Sequence, residues 1–326
     1  TTTRTSISRY TFPKGKSNIL INLGLGLTQK DGAVIHRISD TEVEGFKTIG
    51  NFCGCTSVQT IYFYAKVSKK PENVGIWDGD RKFPKAQREM AGSNIGAYFS
   101  YDTEANETIL VKVGVSYVSA ANARLNADTE QPGFDFDSTR ETAKKAWNKE
   151  LSRIQVEGGT NVDKTMFYTA LYHILLHPNI FNDVNKEYPG YESARILKTT
   201  DKDRFTIFSL WDTYRNVHPF LSLVYPKQQS AMVSSLVSMY KEGGWLPRWE
   251  LASMETGVMV GDPSLPVIAD TYLRGIRDFD VDMAYKAMKH NATAVAPKEY
   301  NIMRPGLEDW LKYGYLPDDI YTKKKF

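Results

Sequence analysis

Two short segments of the sequence place charged side chains directly beside aromatic rings. They are residues 209–215 (SLWDTYR) and 243–249 (GGWLPRW), and a third segment, 259–262 (MVGD), follows with another carboxylate. A packed core avoids such charges, whereas a pyranose presents both apolar C–H faces and a rim of hydroxyl groups. The pattern is therefore typical of a sugar-binding pocket.

Five residues of these segments are candidates for binding such a ligand: Trp211, Asp212, Arg248, Trp249 and Asp262. Each also has a purely structural interpretation. Asp212 suits the N-terminus of a helix, with Arg215 as a surface partner. The tryptophans of the second segment fit a core around a turn, and an aspartate before a proline, as at Asp262, is common in turns.

Composition limits the classes of protein that fit. The chain has 326 residues, which favours two domains, and its 41% hydrophobic and 24% charged content is typical of a globular protein. No apolar run approaches the roughly 18 residues that span a bilayer. The net charge is +3, and the one dense basic run, Lys323–Lys325, is typical of a solvated tail, so no nucleic-acid partner is expected. Neither a nucleophile-elbow motif nor a complete dinucleotide fingerprint is present.

The N-terminal third has the hydrophobic period of β-strands. In residues 107–119 one face carries Ile109, Val111, Val113, Val115 and Tyr117, and the other carries Lys112, Gly114 and Ser116. This alternation predicts a strand with one buried face. Shorter runs at 17–24, 33–39, 48–51 and 58–67, separated by turn residues, predict further strands. Residues 1–118 are therefore predicted to form an antiparallel β-sandwich.

Beyond residue 134 the apolar period lengthens to that of helices. Ala143, Trp147, Leu151 and Ile154 form one stripe, with Asp137 or Ser138 as its N-cap. Similar stripes occupy residues 166–175, 232–240, 267–276 and 281–289, with no strong strand signal between them. We predict a helical linker over residues 119–158 and a helical domain over 159–326. The three charged segments lie at junctions between these helices.

One loop resembles a cation site only in part. Asp183, Asn185 and Glu187 alternate as in an oxygen-rich calcium loop, but the run lacks the central glycine and the terminal acidic residue of an EF-hand. A solvated loop is the favoured interpretation.

Five motifs follow one another in an order that resembles glycoside hydrolase family 92, the calcium-dependent exo-α-mannosidases. They are residues 113–119 (VGVSYVS), 167–173 (FYTALYH), 211–215 (WDTYR), 244–249 (GWLPRW), and 259–261 (MVG) followed by 267–270 (VIAD) and Gly275. The resemblance implies an N-terminal β-sandwich joined by a helical linker to an (α/α)-six toroid. It implies release of mannose from α-mannosides, chiefly α-1,2 links of N-glycans or mannan, with inversion. It also implies calcium as cofactor and a periplasmic, cell-surface or secreted location.

The resemblance assigns the substrate-holding part of the site to this chain. Trp211 and Asp212 match pocket residues of the family, Arg248 and Trp249 are candidates for the pocket rim, and Asp262 is a weaker candidate. The general acid, the general base and the calcium ligands are expected beyond Phe326, because the family's acid and base segments do not occur here. The chain also begins inside the family's sandwich, so it is expected to be less than half of a full member and inactive by itself.

Two other functions stay open. A different helical-toroid glycosidase, similar to trehalases or glucosidases, also carries a Trp-Asp-Thr type of motif. A non-catalytic sugar-binding or structural remnant would equally lack the acid and base segments.

Overall fold

Two compact units make up the chain. The computed structural model describes residues 1–26, 29–54, 58–83, 87–295 and 304–318, so the basic run at 323–325 lies outside the described residues. The first unit comprises Thr1–His173, Ile180–Pro189 and Ile196–Thr200, and the second comprises Ile174–Asn179, Gly190–Arg195 and Asp201–Phe326. The predicted division at residues 118 and 158 stays a prediction.

Antiparallel sheets begin the first unit. Within the described residues the strands are β1 (Thr5–Phe12), β2 (Gly15–Asn22), β3 (Gln29–Arg37), β4 (Glu42–Gly50), β5 (Val58–Val67), β6 (Asn73–Asp78), β7 (Arg81–Phe83), β8 (Glu89–Gly92), β9 (Ile95–Thr103) and β10 (Glu107–Ser116). They form a six-stranded sheet, β1-β10-β5-β4-β3-β8, and a four-stranded sheet, β2-β9-β6-β7. Ile35 and Phe63 from the larger sheet share one buried core with Ile19 and Phe99 from the smaller. The predicted antiparallel sheets are confirmed.

Strand β10 has buried residues on both of its faces, although its sequence predicts only one buried face. Ile109 and Val111 lie in the core between the sheets, but Val115 is 41% exposed. On the other face Lys112 is buried, and its ammonium group donates a hydrogen bond to the Gln131 carbonyl at 2.9 Å. A helix packed on this face leads into Gln131 and covers the strand.

Three helices complete the main part of the first unit: α1 (Ala120–Glu130), α2 (Phe136–Leu151) and α3 (Asn161–Ile174). Helix α1 packs on β10 and β5. The N-cap of α2 is Asp135, two residues before the earliest predicted cap, and its carboxylate accepts from the Ser138 N–H at 2.9 Å. Helix α2 buries none of its residues fully, and Trp147 packs against Tyr172 of α3 with ring centroids 4.6 Å apart.

The second unit is mainly helical, as predicted. Its described helices are α4 (Leu210–Thr213), α5 (Val217–Val224), α6 (Pro226–Gly243), α7 (Ser264–Leu273), α8 (Val281–Thr293) and α9 (Leu307–Tyr313). Helix α6 packs against α5, α7 and α8, and Gly244 ends it in the left-handed conformation (φ 82°). In the described part of the chain, none of the helices combines the length and the apolar character that a membrane span requires.

Short strands interrupt the helices, which the sequence does not predict. They are β11 (Asn179–Ile180), β12 (Glu187–Pro189), β13 (Ile196–Lys198), β14 (Phe205–Thr206), β15 (Glu250–Leu251) and β16 (Met254–Glu255). Strands β15 and β16 form an antiparallel hairpin in which Glu250 pairs with Glu255. Each of these strands has only two or three residues, too few for a visible period of two.

Candidate functional site

Trp211 and Asp212 lie side by side on the short helix α4. Leu210 is fully buried and anchors the helix, whereas Trp211 is 44% exposed and Asp212 is also exposed. The Ser209 hydroxyl donates a hydrogen bond to the Asp212 carboxylate. The Arg215 guanidinium donates to the Tyr214 hydroxyl. Ser209, one turn before Asp212, occupies the N-cap position of this helix. The exposed Asp212 carboxylate therefore follows the exposed Trp211 indole directly in the chain, a pairing that a sugar site requires.

The 243–249 segment contains one core tryptophan and one partly exposed tryptophan. Trp245 is buried and packs against His290 at 4.6 Å between ring centroids, so the core interpretation holds for this residue. The Leu246 N–H donates to the Asn291 side chain at 3.1 Å, and the Leu246 carbonyl accepts from the same side chain at 3.2 Å. These two hydrogen bonds between Leu246 and Asn291 fix the backbone two residues before Arg248.

Arg248 is more deeply buried than a residue on a pocket rim would be. It is 5% exposed, and it donates to the backbone carbonyls of Gly261 (Nε, 2.9 Å) and Met259 (Nη1, 3.2 Å). The guanidinium thus holds the 259–261 loop. Trp249, the next residue, is half-buried. The predicted role of both residues in substrate binding stays a prediction.

Asp262 is an ion-pair residue. Its carboxylate lies 3.0 Å from the Arg304 guanidinium, and its side chain is largely buried. Burial raises the pKa of Asp262 above its ordinary value, although Arg304 and Arg248 both oppose that shift. Because Arg248 also binds the Gly261 carbonyl, Asp262 and Arg248 belong to one local network.

A backbone contact links the two aromatic segments. The Phe208 N–H donates to the Glu250 carbonyl at 3.0 Å in an antiparallel bridge. The chain that leads into Trp211 therefore runs beside the chain that leaves Trp249.

Glu250 is a buried acid that no motif in the sequence indicates. It is fully buried, and its carboxylate accepts hydrogen bonds from the Thr206 hydroxyl (2.6 Å), the Ile207 N–H (2.8 Å) and the Ser253 N–H (2.6 Å). Burial raises the pKa of Glu250 to about 7, and these hydrogen bonds oppose the shift. Thr206 and Ile207 lie shortly before the Trp211 helix, so Glu250 reinforces the link between the two segments.

Glu255 is a second missed residue. Its carboxylate accepts from the backbone N–H groups of Arg248 at 2.7 Å and Trp249 at 3.2 Å. The sequence signal for Glu250 and Glu255 is limited to their spacing. They are five residues apart, on either side of Ala252-Ser253, and this spacing fits a hairpin with a two-residue turn.

The described residues provide no evident metal site. Nowhere in these residues do three or more His, Cys, Asp or Glu side chains form a group that could hold an ion. In the loop of the first unit, Asp183 accepts from Ser116 (2.6 Å), Asn122 (2.8 Å) and Asn126 (2.6 Å). Its oxygens face hydrogen-bond donors, which does not fit a calcium ligand. At 2% exposed it is also not part of a solvated loop, so that interpretation is wrong for Asp183.

Family models cover nearly the whole chain. The model of the glycosyl hydrolase family 92 N-terminal domain matches residues 1–116, and that of the family 92 catalytic domain matches residues 122–325. Among curated proteins, an uncharacterized secreted glycosidase from Arthroderma benhamiae is 27% identical over 265 residues, covering 77% of this chain and 30% of the relative.

Solved structures give the same assignment. The family GH92 α-mannosidase BT3965 from Bacteroides thetaiotaomicron superposes with a TM-score of 0.89 at 29% identity, covering 98% of this chain and 43% of that one. A structure of BT3965 in complex with mannoimidazole gives a TM-score of 0.88. The inverting mannosidase BT2199 from the same organism gives 0.86 at 27% identity, with coverage of 97% and 42%. The chain thus spans less than half the length of these relatives.

Proposed function

This chain belongs to glycoside hydrolase family 92, and we propose that the protein carrying it is an exo-α-mannosidase that releases mannose from α-mannosides. The observation that supports this most is the accessible pair Trp211 and Asp212, which lies in a chain similar to two mannosidases. Mannose-containing glycans, with α-1,2 links as the first choice, are the proposed substrates.

In this proposal Asp212 accepts hydrogen bonds from mannose hydroxyls while Trp211 covers an apolar face of the ring. Hydrogen bonds to a charged acceptor are about twice as strong as neutral ones. An indole beside the carboxylate supplies the apolar half of the recognition. Trp249 and Asp262 extend the site on the neighbouring segments, and Arg248 contributes by holding the loop between them.

The bond-breaking groups are proposed to lie outside residues 1–326. Inverting glycosidases use two carboxyl groups roughly 6.5–9.5 Å apart, one as general acid and the other as general base. The buried Glu250 and Asp183 are surrounded by internal hydrogen-bond donors and do not suit either role. We therefore propose that the isolated chain does not hydrolyse mannosides, and that its helices form part of an (α/α)-six toroid.

Calcium and location are further parts of the proposal. Family membership supports calcium as the cofactor, and its ligands are proposed to lie outside this chain. A periplasmic, cell-surface or secreted location is supported by the curated relative, which is described as a secreted glycosidase.

The test uses the protein with its complete coding sequence. It is assayed on an aryl α-mannoside and an aryl α-glucoside, with and without a chelator, and the first anomer released is identified by proton NMR. We expect β-mannose to appear first, the chelator to abolish turnover, and added calcium to restore it. Release of glucose alone would refute the proposed mannosidase activity, and no turnover of either substrate would favour a non-catalytic protein.

A further inference from the structure

The Glu255 carboxylate organises the backbone of the two residues that follow Pro247. Its Oε2 accepts from the Arg248 N–H at 2.7 Å, and its Oε1 accepts from the Trp249 N–H at 3.2 Å and the Gly257 N–H at 2.9 Å. The Tyr191 hydroxyl lies 3.4 Å from Oε2. One side chain therefore binds three backbone donors, which a carboxylate with two oxygens and about four lone-pair sites can do.

The peptide groups of Trp249 are fixed on both sides. While Glu255 binds its N–H, the Trp249 carbonyl accepts from the Thr256 N–H at 3.2 Å and from the Thr256 hydroxyl at 2.8 Å. With both backbone groups bound by adjacent residues of one hairpin, the direction in which the indole leaves the backbone is set by that hairpin.

The hairpin itself holds an unfavourable turn. Its two central residues, Ala252 and Ser253, have φ angles of 49° and 71°, a conformation that residues other than glycine and asparagine seldom adopt. The Ser253 N–H donates to Glu250, and the Ala252 N–H donates to the Thr206 hydroxyl at 2.9 Å. These bonds, together with Glu255, keep a conformation that the local sequence does not favour, and such conformations concentrate at functional sites.

We propose that Glu255 is a positioning residue for the sugar site: it sets the backbone of Arg248 and Trp249, and through them the Trp249 ring and the 259–261 loop. The identity of the ligand as a mannoside rests on the proposed function. The contacts of Glu255 with the backbone of Arg248 and Trp249 do not depend on that function. Arg248 transmits the effect, since its guanidinium binds the carbonyls of Met259 and Gly261.

The test compares E255Q with E42Q in the complete protein. Glu42, in the first unit, is a buried carboxylate that accepts from the Tyr64 hydroxyl at 2.9 Å and lies 2.8 Å from the Lys66 ammonium. The glutamine introduced by E255Q would present an amide N–H to backbone donors. We therefore expect amide hydrogen exchange in peptides covering residues 246–258 to accelerate by about tenfold or more. E42Q should leave exchange in these peptides unchanged.

The kinetic readout separates positioning from general destabilisation. On an aryl α-mannoside we expect E255Q to raise KM by about tenfold with kcat nearly unchanged, as for loss of ground-state binding. In a W249F background the effect of E255Q on KM should largely disappear, since the two changes act through one side chain. If E255Q does not fold, E255D, which keeps the charge, is used and should show a smaller change in the same direction.

Three results would overturn the inference: unchanged exchange in E255Q, equal effects of E255Q and E42Q on KM, or additive effects of E255Q and W249F. If the wild-type protein hydrolyses no mannoside, the proposed function fails by itself. The exchange experiment then still decides whether Glu255 positions Arg248 and Trp249.

Discussion

Replacing Glu250 with glutamine tests how the candidate site is built. Burial raises the pKa of Glu250 from an ordinary 4.5 to about 7. Between these pH values the folded chain keeps a proton that the unfolded chain has released. The stabilisation is therefore complete below pH 4.5 and is lost as the pH rises through 7. At about 1.4 kcal/mol for each pH unit, the interval corresponds to about 3 kcal/mol of unfolding free energy.

E250Q has no titratable group at this position. The difference in unfolding free energy between wild type and E250Q therefore isolates the contribution of Glu250 titration. At pH 4.5 we expect E250Q to be less stable than wild type, because its amide places an N–H against the Ile207 N–H or the Thr206 hydroxyl. By pH 8 this disadvantage should shrink by about 3 kcal/mol. Urea unfolding followed by tryptophan fluorescence, repeated across the pH range, measures it.

The Glu42 carboxyl supplies a control of opposite sign. Burial alone would raise its pKa, but hydrogen bonds from Lys66 and Tyr64 outweigh burial and lower it. Wild type should therefore gain stability relative to E42Q as the pH rises from acid values. A difference between wild type and E250Q that stays constant or widens as the pH rises would mean that folding does not raise the pKa of Glu250, which would contradict this prediction.

Two further predictions concern buried titratable groups of the second unit. Burial lowers the pKa of His218 from 6.5 to about 4, so the fold keeps a neutral imidazole. As the pH falls from 6.5 to 4, wild type should lose about 3 kcal/mol of unfolding free energy relative to H218Q. Urea unfolding measures this loss. The Glu242 carboxylate binds the buried Arg204 guanidinium at 3.0 Å, so E242Q should destabilise the unit by about 3–5 kcal/mol. D270N, which breaks a more exposed pair with Arg274, should cost much less unfolding free energy in the same assay, because solvent screens exposed ion pairs. Equal effects of E242Q and D270N would contradict this expectation.

Hydrophobic periodicity predicted the sheets and most helices because their burial follows a simple pattern. It did not identify α1 as a packed helix. The buried residues of α1 are Asn122, Ala123, Asn126 and Ala127. This helix packs through small and polar residues, two of which bind Asp183. Such a face has no apolar stripe, so only the three-dimensional structure could reveal it.

Residue type alone made the adjacent Trp211 and Asp212 candidates for sugar binding. Both are accessible in the structure, and their role in binding stays a prediction. The burial of Arg248 was not predictable, because its carbonyl partners lie 11 and 13 residues further along the chain. The role of Glu255 depends in the same way on a hairpin of two-residue strands that has no signal of its own.

A comparison of D212N with D270N in the complete protein, assayed on an aryl α-mannoside, tests whether Trp211 and Asp212 form the sugar site. Both aspartates lie on helices of the second unit, and the Asp270 carboxylate accepts from the Arg274 guanidinium at 2.7 Å. If Asp212 holds the mannose, D212N should lower kcat/KM by about tenfold or more, the effect of losing a charged hydrogen-bond acceptor, while D270N stays near wild type. Equal kcat/KM values for the two variants would contradict the assignment of the sugar site to Trp211 and Asp212.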